Sequence, residues 1–495
     1  MHMTQSFKAS IALFGATGDL SRRKLLPSMF HLFQEGSLTH DFAILAIGRK
    51  DMNDEDFREV VRISLQDNEK LESLEGLDSF LSCIHYVQVD ITDVDSYSTL
   101  KDKFESVEAS IDTEGNRLFY LAMPPQFFTV ITDNLRRSGV TETKGYKRLI
   151  IEKPFGRDYE SAYRLNEDIS KTFEEHEIYR IDHYLGKEMV QNIEVIRFSN
   201  SLFEPLWNNH YISNIQITSS ESLGVLGRGE YYERSGAVRD MFQNHMMQIV
   251  SLLGMEPPIS LSSDDIRDEK IKVLKSIRKI DKKDVKNHFV RGQYDEGRVD
   301  GEYVCKYRDE EDVSETSNTP TFIAARLFID NFRWAGVPFY IRTGKRMRNK
   351  ETKIVVEFKE VPKNLYYQNE QDDVLSKNLL ILRIQPDESI SLQLNVKDHG
   401  SEKDTKEIKL SYAIDNKDLA RTVDAYENLI YDCLNGDAAN FTHYEELMNA
   451  WQFVDSINQV WESDIAPFPN YRAGSDGPVK SNLLLSKDGF KWWNV

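Results

Sequence analysis

The sequence predicts two fold classes in succession: a doubly wound α/β domain, then an α+β domain whose large sheet is mainly antiparallel. Three observations carry this. In the first third of the chain, short apolar strand candidates alternate with longer polar stretches of helical character. From about Asp182 that alternation stops, and further on strand candidates follow one another without helices between them. A chain of 495 residues also exceeds what one core organises, and the expected division is into residues 1–182 and 183–495.

The strand candidates of the first part are Ile11–Gly15, Phe42–Gly48, His85–Val89, Arg117–Ala122 and Arg148–Ile151. Asp54–Gln66 and Ser96–Glu108 are the helices expected among them. In the second part, one helix is expected over Gly236–Leu253 and an amphipathic one over Asp264–Ile280. Strands follow at Phe322–Ile329, Lys353–Phe358, Leu379–Gln385, Ile390–Val396 and Glu407–Tyr412. In the run Ile390, Leu392, Leu394, Val396 apolar and polar residues alternate, which predicts a sheet with its apolar face inward and one wet face. The acidic, polar stretch Tyr307–Thr319 reads as a surface loop.

Composition narrows the function. The chain is 40% hydrophobic and 29% charged, as a globular enzyme is, with a formal net charge of −19. That balance argues against nucleic acid as a partner, because phosphates are repelled on approach. It also gives weight to any local cluster of cations. The three cysteines, Cys83, Cys305 and Cys433, lie far apart without CxxC spacing, which fits a reducing compartment and offers neither a disulfide framework nor a zinc site. Met1–Ser10 is too polar for a secretory signal and no apolar run reaches spanning length, so a cytoplasmic protein without a membrane partner is expected.

A first site is expected where the Ile11–Gly15 strand runs into the turn Gly15, Ala16, Thr17, Gly18 and then a helix starting near Asp19 and Leu20. Glycines there let the backbone approach a pyrophosphate, whose charge the first helical amides can hold. A purely structural turn uses glycine as well, so this element does not decide alone. The next strand ends at Gly48-Arg49-Lys50, where a fold specific for NAD usually places an acid. A cation such as Arg49 can hold a 2′-phosphate instead, which favours NADP and leaves NAD open. Two further strands close on proline, at Ala122-Met123-Pro124 and at Glu152-Lys153-Pro154, and carboxyl ends of parallel strands are where ligands bind in such folds.

A second site is expected from three clusters. Arg180–Glu188 packs Asp182, His183, Tyr184 and Lys187 into six residues; if a helix begins near Tyr184, His183 and Lys187 share a face suited to a phosphate. No metal is expected, since no HxxxH or cysteine partner accompanies it. In Arg239–Ile249, Asp240, Gln243, Asn244 and His245 interrupt an otherwise apolar helix. A lone histidine in such a helix is more often a packed core residue, but the polar group around His245 is costly to bury without partners or function. A histidine so placed can take a hydroxyl proton near neutral pH, with a carboxylate to orient it. Finally, Trp334–Lys350 ends an apolar strand in a glycine turn carrying Lys345, Arg346, Arg348 and Lys350, either a solvated face or an anion clamp.

GATGDL at Gly15–Leu20, EKPFG at Glu152–Gly156, RIDHYLGKE at Arg180–Glu188, DMFQNH at Asp240–His245 and WAGVPFYIRTGK at Trp334–Lys345 resemble, in this order, the glucose-6-phosphate dehydrogenase family. The resemblance covers essentially the whole chain. It implies a Rossmann-like dinucleotide domain followed by a β+α domain whose sheet mediates dimerisation, as a homodimer or a dimer of dimers. It implies oxidation of glucose 6-phosphate at C1 to 6-phosphogluconolactone without a metal, in the oxidative pentose phosphate pathway. On the matching positions, His245 is the general base and Asp182 its partner carboxylate. His183, Tyr184 and Lys187 bind phosphate, and Lys153 lies between sugar and cofactor. Glu221 and Asp240 bind sugar hydroxyls, Lys345 and Lys350 bind substrate, and Gln385 and Tyr426 are less distinctive carry-overs. Two rival readings of these motifs are another sugar oxidoreductase and a dinucleotide-binding sensor without catalysis. Neither needs Asp182 and His245 together.

Overall fold

The computed structural model describes residues 6–68, 71, 73–362, 375–400, 404–413, 424–464 and 466–495; the start of the polar amino-terminal stretch, residues 1–5, lies outside these. The chain forms two compact units. The first comprises Met1–Gly186 together with Ile259–Arg267 and Val423–Met448, and the second comprises the rest.

The first unit is built on six parallel strands: β1 (Phe7–Phe14), β2 (Leu38–Gly48), β3 (Ile84–Gln88), β4 (Arg117–Leu121), β5 (Lys147–Ile151) and β6 (Ile178–Arg180). Their order in the sheet, β3-β2-β1-β4-β5-β6, is that of a dinucleotide fold with a switch point between β1 and β4. Because helices cover both faces, β1 is buried along nearly its whole length, which is why it reads as a continuous apolar run. The helix Asp54–Gln66 starts where expected because Asn53 and Asp56 cap each other's backbone amides. The returning helix Ala425–Asn435 packs Leu429, Ile430 and Cys433 into the same core. An ion pair from Lys24 to Asp424 and a hydrogen bond between His31 and Glu427, each at 2.7 Å, pin it to the helical stretch after β1.

The second unit is built on an eight-stranded sheet. It uses β7 (Ile212–Ser220), β8 (Phe289–Gly292), β12 (Phe322–Phe328), β13 (Pro338–Gly344), β14 (Glu351–Phe358), β15 (Leu379–Gln385), β16 (Ser389–Lys397) and β17 (Thr405–Ala413). The short strands β9 (Tyr294–Asp295), β10 (Gly297–Val299) and β11 (Glu302–Val304) stand outside it. The order is β17-β16-β15-β14-β7-β13-β12-β8, antiparallel throughout except for the β7–β13 pair. The mainly antiparallel expectation is therefore met, with one parallel pairing at the centre.

One expectation is corrected here and two are refined. In β16 the polar residues Ser391 and Gln393 are buried, while the apolar row from Ile390 to Val396 is only half-buried. On β17 next to it, Leu410 and Tyr412 are more than half exposed. The apolar face of this sheet edge is thus the outer one. Next, the stretch Tyr307–Thr319 is the largely exposed loop expected, but anchored at two points: Tyr307 is fully buried, and its hydroxyl and that of Ser317 both donate to Glu233 Oε1, at 2.7 and 2.6 Å.

The single helix expected over Gly236–Leu253 is the third. It begins two residues later, at Val238, because Gly236 parts it from the preceding helix with φ +56° and ψ 179°, a conformation open to glycine. A wide π-type turn follows over Val238–Met246 before an α-helix over Met247–Gly254. A side chain at Gly236 would also press on the Pro320 carbonyl, whose oxygen accepts the Ala237 amide at 2.8 Å.

Candidate active site

In the first unit the expected cofactor residues share one edge. The Gly15–Gly18 turn follows β1, Arg49 follows β2, Ala122 and Pro124 follow β4, Lys153 follows β5 and Asp182 follows β6. All are carboxyl ends of one parallel sheet. Gly15 has φ +79°, and a Cβ there would lie 2.4 Å from the Ala122 carbonyl oxygen, so the first turn must be bare where it meets the β4 end. The helix begins at Asp19, as read from the sequence, and its first amides lack intrahelical acceptors. This cradle of glycine and open amides fits a pyrophosphate. Arg49 and Lys50 are exposed at the end of β2, and the Lys153–Pro154 bond is cis.

Asp182 is buried, and its carboxylate accepts the Tyr184 amide at 3.0 Å. That turn replaces the helix expected from near Tyr184, which starts only at Glu188. The four-residue spacing of His183 and Lys187 is therefore not helical. Gly186 closes the turn against the returning helix, where a Cβ would lie 2.6 Å from the Ala425 carbonyl oxygen. Tyr426 is on that helix, and burial together with the charges of Glu152, Asp424 and Asp182 pushes its phenol up.

Glu152, a member of the Glu152–Gly156 motif, has an electrostatic role of its own in the structure. Tyr120, fully buried, donates to Glu152 Oε1 at 2.7 Å. Burial pushes the Glu152 carboxyl from 4.5 to about 7, outweighing that hydrogen bond and the charge of Lys153, both of which favour ionisation. An acid whose folded value is raised contributes stability that is complete below about pH 4.5 and lost as pH rises through about 7, roughly 3 kcal/mol in all. Glu152→Gln keeps the acceptor for Tyr120 and removes the titration. The variant should gain about 3 kcal/mol on wild type between pH 5 and pH 8 in denaturant unfolding; a constant difference would refute the assignment.

In the second unit, Lys345 follows β13 and is buried beside two carboxylates. It bonds Glu221 Oε2 and lies 3.9 Å from Asp240 Oδ2, with the Tyr232 ring centroid at 5.2 Å. Ladder pairing sets this up, because β7 and β13 run parallel up to Ser220 and Gly344, and the Glu221 amide donates to the Gly344 carbonyl at 2.9 Å. The expected clamp of four cations is not assembled. Arg346 turns to Glu310 at 3.4 Å and Arg348 to Asp476 at 3.4 Å. Lys350 is exposed and makes no hydrogen bond or ion pair among the described residues. Lys187 instead meets Gln385, its Nζ donating to Oε1 at 3.4 Å while the Gln385 amide donates to Thr352 at 3.0 Å.

His245 is fully buried on the wide turn that also carries Asp240. Its backbone amide donates to Asn244 Oδ1 at 2.6 Å, and the Asn244 side-chain amide reaches back five residues to the Arg239 carbonyl at 3.2 Å. Such turns often mark functional sites. Sequence reasoning missed Tyr231 and Tyr232: the first donates to Asp240 Oδ1 at 3.4 Å and the second lies against Lys345. A Tyr-Tyr pair just ahead of the Gly236 break was the available signal.

Two family models match in tandem: the glucose-6-phosphate dehydrogenase NAD binding domain over residues 12–192, and the C-terminal domain of the same family over residues 194–493. The chain belongs to the glucose-6-phosphate dehydrogenase family. It is 53% identical over 495 residues to the glucose-6-phosphate 1-dehydrogenase of Bacillus subtilis, covering all of both chains. To that of Leuconostoc mesenteroides it is 41% identical, covering 99% of each. Among solved structures, one titled glucose-6-phosphate dehydrogenase in complex with its substrate glucose-6-phosphate superposes with a TM-score of 0.89 at 35% identity, covering 100% of both. The family member from Mycobacterium avium gives 0.83 at 30% identity, covering 99% of both. The family's NAD binding domain model falls on the sheet whose carboxyl edge carries the glycine cradle, so the cofactor is a nicotinamide dinucleotide.

Proposed function

We propose that the chain oxidises glucose 6-phosphate at C1 to 6-phosphogluconolactone and passes the hydride to NADP. The observation that carries this reading is the likeness, over the full length, to enzymes named for that activity. In it, His245 takes the proton from the C1 hydroxyl, and Asp182 is its orienting carboxylate. His183, Tyr184 and Lys187 hold the sugar phosphate. Glu221 and Asp240 accept from sugar hydroxyls, with Lys345 beside both carboxylates, and Lys350 adds a cation toward the substrate. Lys153 lies between sugar and cofactor. Gly15, Ala16, Thr17, Gly18, Asp19 and Leu20 hold the pyrophosphate with Ala122 and Pro124 beside them, and the bound nicotinamide supplies the hydride acceptor.

NADP rather than NAD is supported by Arg49, exposed at the end of β2 without a neighbouring acid in the Gly48-Arg49-Lys50 run. A homodimer, or a dimer of dimers, is supported by the outward apolar row of Ile390, Leu392, Leu394, Leu410 and Tyr412. A cytoplasmic location is part of the same reading; among the described residues no helix is long and apolar enough to cross a membrane, and the three cysteines are free.

Initial rates of nicotinamide reduction with glucose 6-phosphate and each cofactor test the reading. Reduction that requires the phosphorylated sugar supports it, and no reduction with either cofactor overturns it. Arg49→Glu should lower the ratio of NADP to NAD efficiency by about 10- to 100-fold, the worth of one charge-assisted bond. An unchanged ratio would remove Arg49 from cofactor choice.

A further inference from the structure

At the opposite, amino edge of the first sheet lies a cavity of about 470 Å³, formed entirely within the first unit. Lys147 and Arg148 open β5 there, one strand length from Lys153 at the carboxyl edge, about 15 Å away. The same cavity is lined by Ser262, Ser263 and Arg267, from the start of the 14-residue helix Ser263–Ser276.

Arg267 is the unusual member. It is only 6% exposed, yet among the described residues its guanidinium makes no hydrogen bond, and Nε is buried without a partner. Its one ion pair is a loose 4.0 Å approach to Asp264, whose side chain is 95% exposed. A buried guanidinium with its donors unmet is costly unless an anion answers it. Arg148 is held ready beside it. Nη1 donates to the Cys433 and Leu434 carbonyls at 2.6 and 2.8 Å, and the plane stacks 3.6 Å from the Tyr146 ring centroid. Ser263 ties the helix start to the facing loop, donating to Asp437 at 3.1 Å and accepting the Ala438 amide at 3.0 Å. Of the two lining acids, Asp264 is the loose partner of Arg267 just described, and Glu177 is engaged by Lys147 at 3.6 Å.

Two guanidiniums and a helix start, in a walled cavity, match the planar multi-donor recognition of phosphate. We propose that this cavity binds a phosphate group, either free phosphate or the phosphate of a small metabolite, between Arg267 and Arg148. It is separate from the sugar phosphate residues His183, Tyr184 and Lys187, and nothing in the reaction proposed above uses it.

Calorimetric titration of the full chain with inorganic phosphate, and separately with glycerol 3-phosphate, tests this. Glycerol 3-phosphate binding more tightly than phosphate would identify an organic ligand; equal affinities would identify phosphate itself. Arg267→Met should raise the dissociation constant at least tenfold, while Lys187→Ala leaves one binding event of wild-type affinity. If Arg267→Met misfolds, Glu177→Gln serves instead: removing the competing carboxylate frees Lys147 and should tighten binding several-fold. Binding unchanged in Arg267→Met, binding abolished by Lys187→Ala, or binding unaffected by Glu177→Gln would each overturn the proposal.

Discussion

His245→Asn is expected to lower kcat by about 10³-fold, with kcat/KM falling in parallel and binding of the sugar phosphate nearly unchanged. A positioned general base is worth about 10²- to 10⁴-fold, and asparagine cannot accept the proton while keeping much of the shape. Two local hydrogen bonds, through the His245 backbone amide and the Asn244 side chain, are untouched by the change. Stopped-flow measurement of the first turnover separates chemistry from product release. Turnover near the wild-type rate would remove the base assignment, and a weakened substrate affinity with unchanged kcat would make His245 a binding residue.

Lys187→Ala is expected to raise KM for glucose 6-phosphate by about 10- to 100-fold, the equivalent of one charge-assisted hydrogen bond of about 1.5–3 kcal/mol. Oxidation of unphosphorylated glucose should change little, since that substrate has no phosphate to lose. The damage should stay local: Lys187 Nζ contacts Gln385, whose side-chain amide keeps its own bond to Thr352. Steady-state kinetics on both sugars decides it, and equal losses on the two would place Lys187 outside phosphate recognition.

How much of this was legible depended on whether burial followed the hydrophobic pattern. The strands β1 to β5 were readable because a parallel sheet covered on both faces demands apolar runs. The third residue triplet of that edge, Ile178-Tyr179-Arg180 in β6, was too short to show a period. The strand β7 was missed although it lies inside the large sheet, because Asn214, Gln216, Thr218, Ser219 and Ser220 are buried in it. Part of that polarity is met by structure remote in sequence: Gln216 donates to the Lys491 carbonyl at 2.9 Å and accepts the Trp493 amide at 3.0 Å. Such a strand carries only a broken apolar signal, Ile212, Ile215 and Ile217 set among polar residues.

The site residues were legible as motifs because short runs carry them, as in Arg180–Glu188. What could not be read was pairing across the chain. Nothing around Lys345 announces Glu221, which is brought to it by the parallel register of β7 and β13. Nor does the sequence show that Ala425–Asn435 returns to the first unit to back Gly186.

The wide turn at Val238–Met246 has a consequence for residue count. Here the chain uses more residues per turn than an α-helix would, and the helix beyond it, Met247–Gly254, is buried on every side. Removing one residue between Val238 and Asn244 would be absorbed by that surplus, the wide turn tightening toward ordinary α-helix while Met247–Gly254 keeps its seat. Apolar side chains would still meet apolar surroundings, but His245 would point elsewhere. The direction of the imidazole is therefore encoded in a tally of positions as much as in the identity of any one of them, and a lineage that lost a single codon there would keep a folded protein aimed at nothing.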